Sequence, residues 1–114
     1  MIRFSLSVAT FLFLLLISCN DDQKVSAPLS EDEMVNTLIQ IHLNEAKAIN
    51  TFLPVDSQRL YYKILEDSMW YKLQTTRVLY DSSYKMYARH AYALDKIYTR
   101  VIDSLSLREA LRKL

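Results

Sequence analysis

Glycine occurs nowhere in the 114 residues, and that absence prunes the folds open to the chain. Tight hairpin turns, G1 bulges and phosphate-cradling loops depend on a residue that accepts positive φ without steric cost. A helical chain has little need of one, because Ser, Thr, Asn and Asp can cap its segments. Two prolines, Pro28 and Pro54, are the strong punctuation that remains. An all-α protein is therefore expected, and the length allows one small domain with a single modest core.

Apolar residues make up 51% of the chain, but much of this comes from Phe4 to Ile17, leaving an ordinary soluble composition for the rest. Met1-Ile2-Arg3 supplies a short, weakly positive start, and Phe4 to Leu16 supplies an apolar run broken by Ser5, Ser7 and Thr10. A helix that crosses a bilayer needs about 20 residues, so this run suits a cleaved signal peptide better than an anchor. It closes on Leu16-Ile17-Ser18-Cys19, which resembles the bacterial lipoprotein lipobox: an aliphatic residue, a small residue and then the cysteine. The resemblance implies cleavage between Ser18 and Cys19 and diacylglycerol on the Cys19 thiol. Each buried methylene contributes roughly 0.8 kcal/mol, so one acyl chain binds reversibly and two or three hold a domain on a membrane. The plainer alternative is an ordinary secretory leader followed by an incidental cysteine.

Cys19 is the single cysteine, which excludes an intrachain disulfide and a cysteine-based structural metal site. Formal charge is +1 and falls to about zero if Arg3 leaves with the leader, with no basic stripe of the kind that binds nucleic acid. Residues 1–18 are thus expected as signal peptide, 19–29 as a flexible tether and 30–114 as a helical domain. The acidic pair Asp21-Asp22 suits either a solvated linker or the export signals of some surface lipoproteins.

Helical periodicity organises the domain. Ser30 and Glu33 form the pattern of a capping box ahead of a stripe of Met34, Leu38, Ile41 or His42, Glu45 or Ala46, and Ile49, widened by Val35, Ile39 and Leu43, and predict a first helix over about Glu31 to Thr51. Pro54 breaks it. A second helix, starting at Asp56 or Ser57, is expected to bury Leu60, Tyr61, Ile64, Leu65 and Ser68; it either stops near Asp67 or, as the lack of Gly and Pro favours, continues through Leu73. Thr75-Thr76 offers a weak cap for a third helix carrying Leu79, Tyr80, Ser83, Tyr84 and Tyr87. His90-Ala91 is the next joint, and Leu94, Ile97, Tyr98, Val101 and Leu105 mark a fourth helix running towards Leu114. The sum is a small four-helix, mostly antiparallel bundle.

Five stretches carry a family resemblance: Glu33-Met34-Val35, Ile41 to Ala46 (IHLNEA), Leu60 to Leu65 (LYYKIL), Tyr80 to His90 (YDSSYKMYARH) and Leu94 to Val101 (LDKIYTRV). In this order they resemble the domain of unknown function 4296 family, found in small lipoproteins of Bacteroidetes-type bacteria. The resemblance implies an all-helical envelope lipoprotein and brings no activity with it. The chain departs from the family's usual form twice, with a longer, glycine-free passage from Glu66 to Val78 and with Ala91 where a proline commonly stands.

Few residues suggest chemistry. His42 and Glu45 share a helix face at i, i+3 and can offer two ligands to a metal ion, with His90 or Asp81 as a third only if the fold brings one close. The blander reading makes His42 half-buried and Glu45 a partner for a tyrosine or an arginine. All eight tyrosines fall between Tyr61 and Tyr98, with Trp70 among them; Tyr61, Tyr80, Tyr84, Tyr87 and Tyr98 lie on helical stripes and suit the core. Tyr62, Trp70, Tyr71 and Tyr92 lie off those stripes and are the candidate interface residues. Ser82 and Ser83 beside Asp81 have no elbow or oxyanion loop around them. The expected function is that of a non-catalytic interaction or assembly subunit, with no cofactor. It would be lipid-anchored to the cell membrane or outer membrane, facing the periplasm or the cell surface, and bind an envelope protein or another copy of itself. The alternatives are a small metal-binding protein or envelope enzyme using His42 and Glu45, and a glycan-binding module using the aromatic side chains.

Overall fold

The computed structural model describes residues 25–114; the expected leader, Ser18, Cys19 and residues 19–24 of the tether lie outside the described residues. Four helices follow one another: α1 (Glu31–Ile49), α2 (Val55–Leu73), α3 (Arg77–Ala88) and α4 (Ala91–Arg112). No strand occurs among the described residues. The protein is an all-α bundle, with α1 at its centre and α2, α3 and α4 packed against it.

Residues of its N-terminal half make α1 the hub. Ser30 Oγ accepts the Glu33 N–H at 3.2 Å, while the Glu33 carboxylate accepts the Ser30 N–H at 3.3 Å, so the expected capping box is formed. Three acidic residues in the first turn complement the positive end of the helix dipole. Met34, Val35, Leu38 and Ile39 are buried and meet Tyr87 of α3 and Ile97 and Val101 of α4 in one core. Arg100 of α4 clamps this end, donating to Glu31 at 3.0 Å and Asp32 at 2.7 Å. The helix ends at Ile49, earlier than the expected Thr51.

Docking of residues 25–29 places the domain boundary earlier than a free tether through Leu29 suggests. Leu29 is buried, and Val25 and Ala27 pack against the core. The Leu29 N–H donates to Ser83 Oγ at 2.9 Å, and its carbonyl accepts the Tyr87 O–H at 2.9 Å. The Ser83 O–H donates in turn to the Leu79 carbonyl at 2.7 Å, so a side chain without any exposure has its donor and its acceptor both satisfied.

The rotation of α2 differs from the expectation. Its buried residue is Met69, with Tyr61, Tyr62, Leu65, Trp70 and Leu73 half-buried, whereas Leu60, Ile64 and Ser68 face outward. Apolar and aromatic residues lie on every side of this helix, so periodicity alone leaves two faces in competition. The one that packs is chosen by tertiary bonds: Asn44 of α1 donates to the Leu65 carbonyl at 3.4 Å, and Glu66 accepts from Arg77 at 2.9 Å. The helix begins at Val55 and runs to Leu73, where Gln74 stops it in the left-handed region at φ 53°. In α3, Leu79 is exposed although it lies on the expected stripe, while Ser83 and Tyr87 are buried. Beyond Leu105 every residue of α4 is exposed.

Candidate interaction surface and aromatic cluster

An aromatic ladder joins the last turns of α2 to α3 and α4. Trp70 lies 5.7 Å from Tyr80, ring centre to ring centre, and Tyr80 lies 6.0 Å from Tyr84, both pairs tilted. The ladder ends in a hydroxyl pair, Tyr84 Oη to Tyr98 Oη at 3.0 Å. Tilted pairs at these separations add about 0.5–1.5 kcal/mol each beyond their burial. Glu66 anchors the near end, accepting Trp70 Nε1–H at 3.3 Å as well as Arg77. The spacing of Glu66 and Trp70 is i, i+4 and readable from the sequence; the Arg77 partner needs the α2–α3 turn.

Burial pushes the Tyr80 phenol up to about 12, and Tyr84, Asp81, Tyr62 and Glu45 add to the effect. Tyr98 is raised by burial, then by its hydrogen bond with Tyr84. Tyr62 is raised by burial and by Glu66 and Glu45, with Arg77 opposing. A phenol held neutral well above physiological pH donates and accepts hydrogen bonds and offers no tyrosinate nucleophile. The cluster's chemistry is that of a rigid, neutral, hydrogen-bonded seam.

The residues singled out from the sequence lie in three settings. His42 Nδ1 lies 3.4 Å from Glu45 Oε2 on the outer side of α1, both side chains exposed. His90 caps α4 without a side-chain hydrogen bond, and among the described residues no three His, Cys, Asp or Glu side chains converge to hold a metal ion. Trp70 is half-buried in the seam, and Tyr62, also half-buried, lies beside Ala48 and Arg59. Tyr71 and Tyr92 are exposed, at 85% and 60%.

Apolar side chains also remain uncovered. Phe52 is fully exposed at the α1–α2 turn beside Ile49 and Val55, where an open groove of about 340 Å³ runs between Ala48, Val55, Arg59 and Tyr62. Leu60 and Ile64 stand on the outer face of α2, and Leu107, Leu111 and Leu114 on the end of α4. Phe52 and the α4 leucines can be suspected from the sequence, since one precedes a proline turn and the others outrun the partner helices. The outward face of α2 cannot.

The described residues thus form a helical bundle with a polar aromatic seam and uncovered apolar faces. Residues 26–110 match the family described as domain of unknown function (DUF4296), and the chain belongs to that family. No curated protein and no solved structure matches it. No described helix is long and apolar enough to cross a membrane.

Proposed function

We propose that the protein is a lipid-anchored lipoprotein of the cell envelope whose helical domain works as a non-catalytic interaction or assembly subunit. The observation that carries this reading is Leu16-Ile17-Ser18-Cys19 at the end of the apolar run from Phe4. With the leader cut before Cys19, acyl chains on that residue hold the domain at the membrane, a few residues ahead of the packed segment that includes Val25, Ala27 and Leu29. Supporting the interaction role are the apolar residues at the surface, Phe52, Leu60, Ile64 and Tyr71, on a domain where Tyr80, Tyr84 and Tyr98 are taken up by a structural seam. The membrane is the cell membrane or the outer membrane, with the domain facing the periplasm or the cell surface.

Fractionation of cells expressing the full chain tests the anchor. The parent protein is expected with the membranes and a Cys19→Ser variant in the soluble fraction, with its helical circular dichroism retained. A Cys19→Ser protein that stays with the membranes like the parent overturns the reading.

A further inference from the structure

The outer face of α2 has the form of a self-pairing helix. Leu60, Ile64 and Tyr71 are 63%, 58% and 85% exposed, and at about 100° per residue they fall in one stripe on the side away from α1. Ser57 and Ser68, both exposed, lie along the same side and leave a gap before and after the bulky Leu60–Ile64 stretch. One flank carries Lys63 and Asp67, 4.0 Å apart within the helix. Over its length α2 carries three basic residues, Arg59, Lys63 and Lys72, and three acidic ones, Asp56, Glu66 and Asp67, so it presents no single sign that would repel its own copy.

We infer that α2 pairs antiparallel with α2 of a second copy of this chain, about a two-fold axis beside Ile64. An antiparallel two-fold keeps each flank opposite itself and reverses the residue order. Lys63 of one copy then lies on the same flank and the same side of the axis as Asp67 of the other, about 3 Å away along the helix direction and within reach of the lysine side chain, giving two reciprocal ion pairs. Tyr71 of each copy meets Ser57 of the other, and Tyr61, half-buried at the edge of the face, meets Ser68. Large side chains are thereby set into the gaps left by small ones, and Ile64 packs on Ile64 at the axis. A parallel pairing sets Tyr71 against Tyr71 and carries the Lys63–Asp67 flank of the two copies to opposite sides of the seam, so both matches are lost. The inference rests on the reading of the domain as an interaction subunit and names what covers one of its surfaces.

The test uses full-length protein in mild detergent, with two affinity tags and sedimentation to read mass. The parent is expected as a dimer. Lys63→Glu and Asp67→Lys each place like charges across the pair and are expected to weaken self-association by at least about tenfold, while circular dichroism stays that of the parent because an exposed i, i+4 pair contributes only a few tenths of a kcal/mol. Mixing the two variants restores complementary charges only between unlike chains, so a heterodimer is expected to form within a few-fold of the parent's affinity. Ile64→Asp places two carboxylates at the axis and is expected to abolish the dimer. A parent that is monomeric at every accessible concentration overturns the inference, whether or not a different protein binds the face. So does a mixture that associates no better than each variant alone. Fractionation of Cys19→Ser reports on the anchor and this assay on α2, so each can fail without the other.

Discussion

Helices α1 and α2 have the same length, 19 residues, and opposite roles. Seven residues of α1 are buried, and one of α2. The first begins in a two-way capping box; the second begins at Pro54 with no side-chain cap. Two helices of similar apolar content thus differ because α1 has neighbours on several sides and α2 rests mainly on α1. Burial follows from position in the bundle, and the uncovered face of α2 is left available for contact with another molecule.

The largest test of this contrast is truncation on each helix. Met34, without exposure, sits in the α1 core, and Met34→Ala is expected to cost about 2–5 kcal/mol in denaturant unfolding. Ile64→Ala, measured at dilution sufficient to separate any dimer, is expected to cost less than about 0.5 kcal/mol. Equal losses at the two sites would erase the distinction between hub and periphery.

Next in size is the dock of the segment before α1. Ser83→Ala removes the acceptor of the buried Leu29 N–H and is expected to cost about 1–3 kcal/mol. Amide exchange at Leu29 should rise with it; a loss of stability with Leu29 still protected would locate the effect elsewhere.

A smaller effect of opposite sign is expected where α2 ends. Gln74 holds φ 53°, a conformation that costs a residue with a Cβ roughly 1–2 kcal/mol. After the entropy that glycine loses on folding, Gln74→Gly is expected to stabilise the domain by about 0.5 kcal/mol. Thermal unfolding reads the gain, and a destabilised variant would mean that the Gln74 side chain matters more than its backbone.

The smallest effect is confined to alkaline pH. The Tyr80 phenol is raised from 10.0 to about 12 on folding, so the folded state favours its neutral form. That contribution is complete below pH 10 and is lost as pH rises towards 12. Absorbance titration of tyrosinate should show late ionisation that disappears in Tyr80→Phe, and stability should decline across the same interval. A titration complete near pH 10 in the folded protein would remove the evidence for a dry seam.

Much of the helical order was legible along the chain. Ser30 and Glu33 announce their own cap because the bonds involved span three residues, and Pro54 breaks a helix wherever it stands. Continuation of α2 to Leu73 follows from the lack of any breaker between Val55 and Gln74. The face of α2 was not legible: Leu60 and Ile64 satisfy the helical period as well as Met69 and Leu65, and only Asn44 and Arg77, distant in sequence, select between them. Ser83 was readable as a small residue permitting close approach, but its bond to Leu29, 54 positions away, was not. His42 and Glu45 were paired correctly by their spacing, whereas His90 belongs to another part of the fold.

Local chemistry therefore determined the class of this protein: with no glycine to make tight turns, well-formed caps and apolar residues at helical spacing, the chain can satisfy its backbone only as helices. Tertiary structure decided the rest. Which side of α2 is covered, that Val25, Ala27 and Leu29 pack on the core ahead of α1, and which tyrosines join into one seam depend on side chains far apart in sequence. A residue's helical period is set by its neighbours along the chain, whereas its burial depends on what the rest of the chain lays against it.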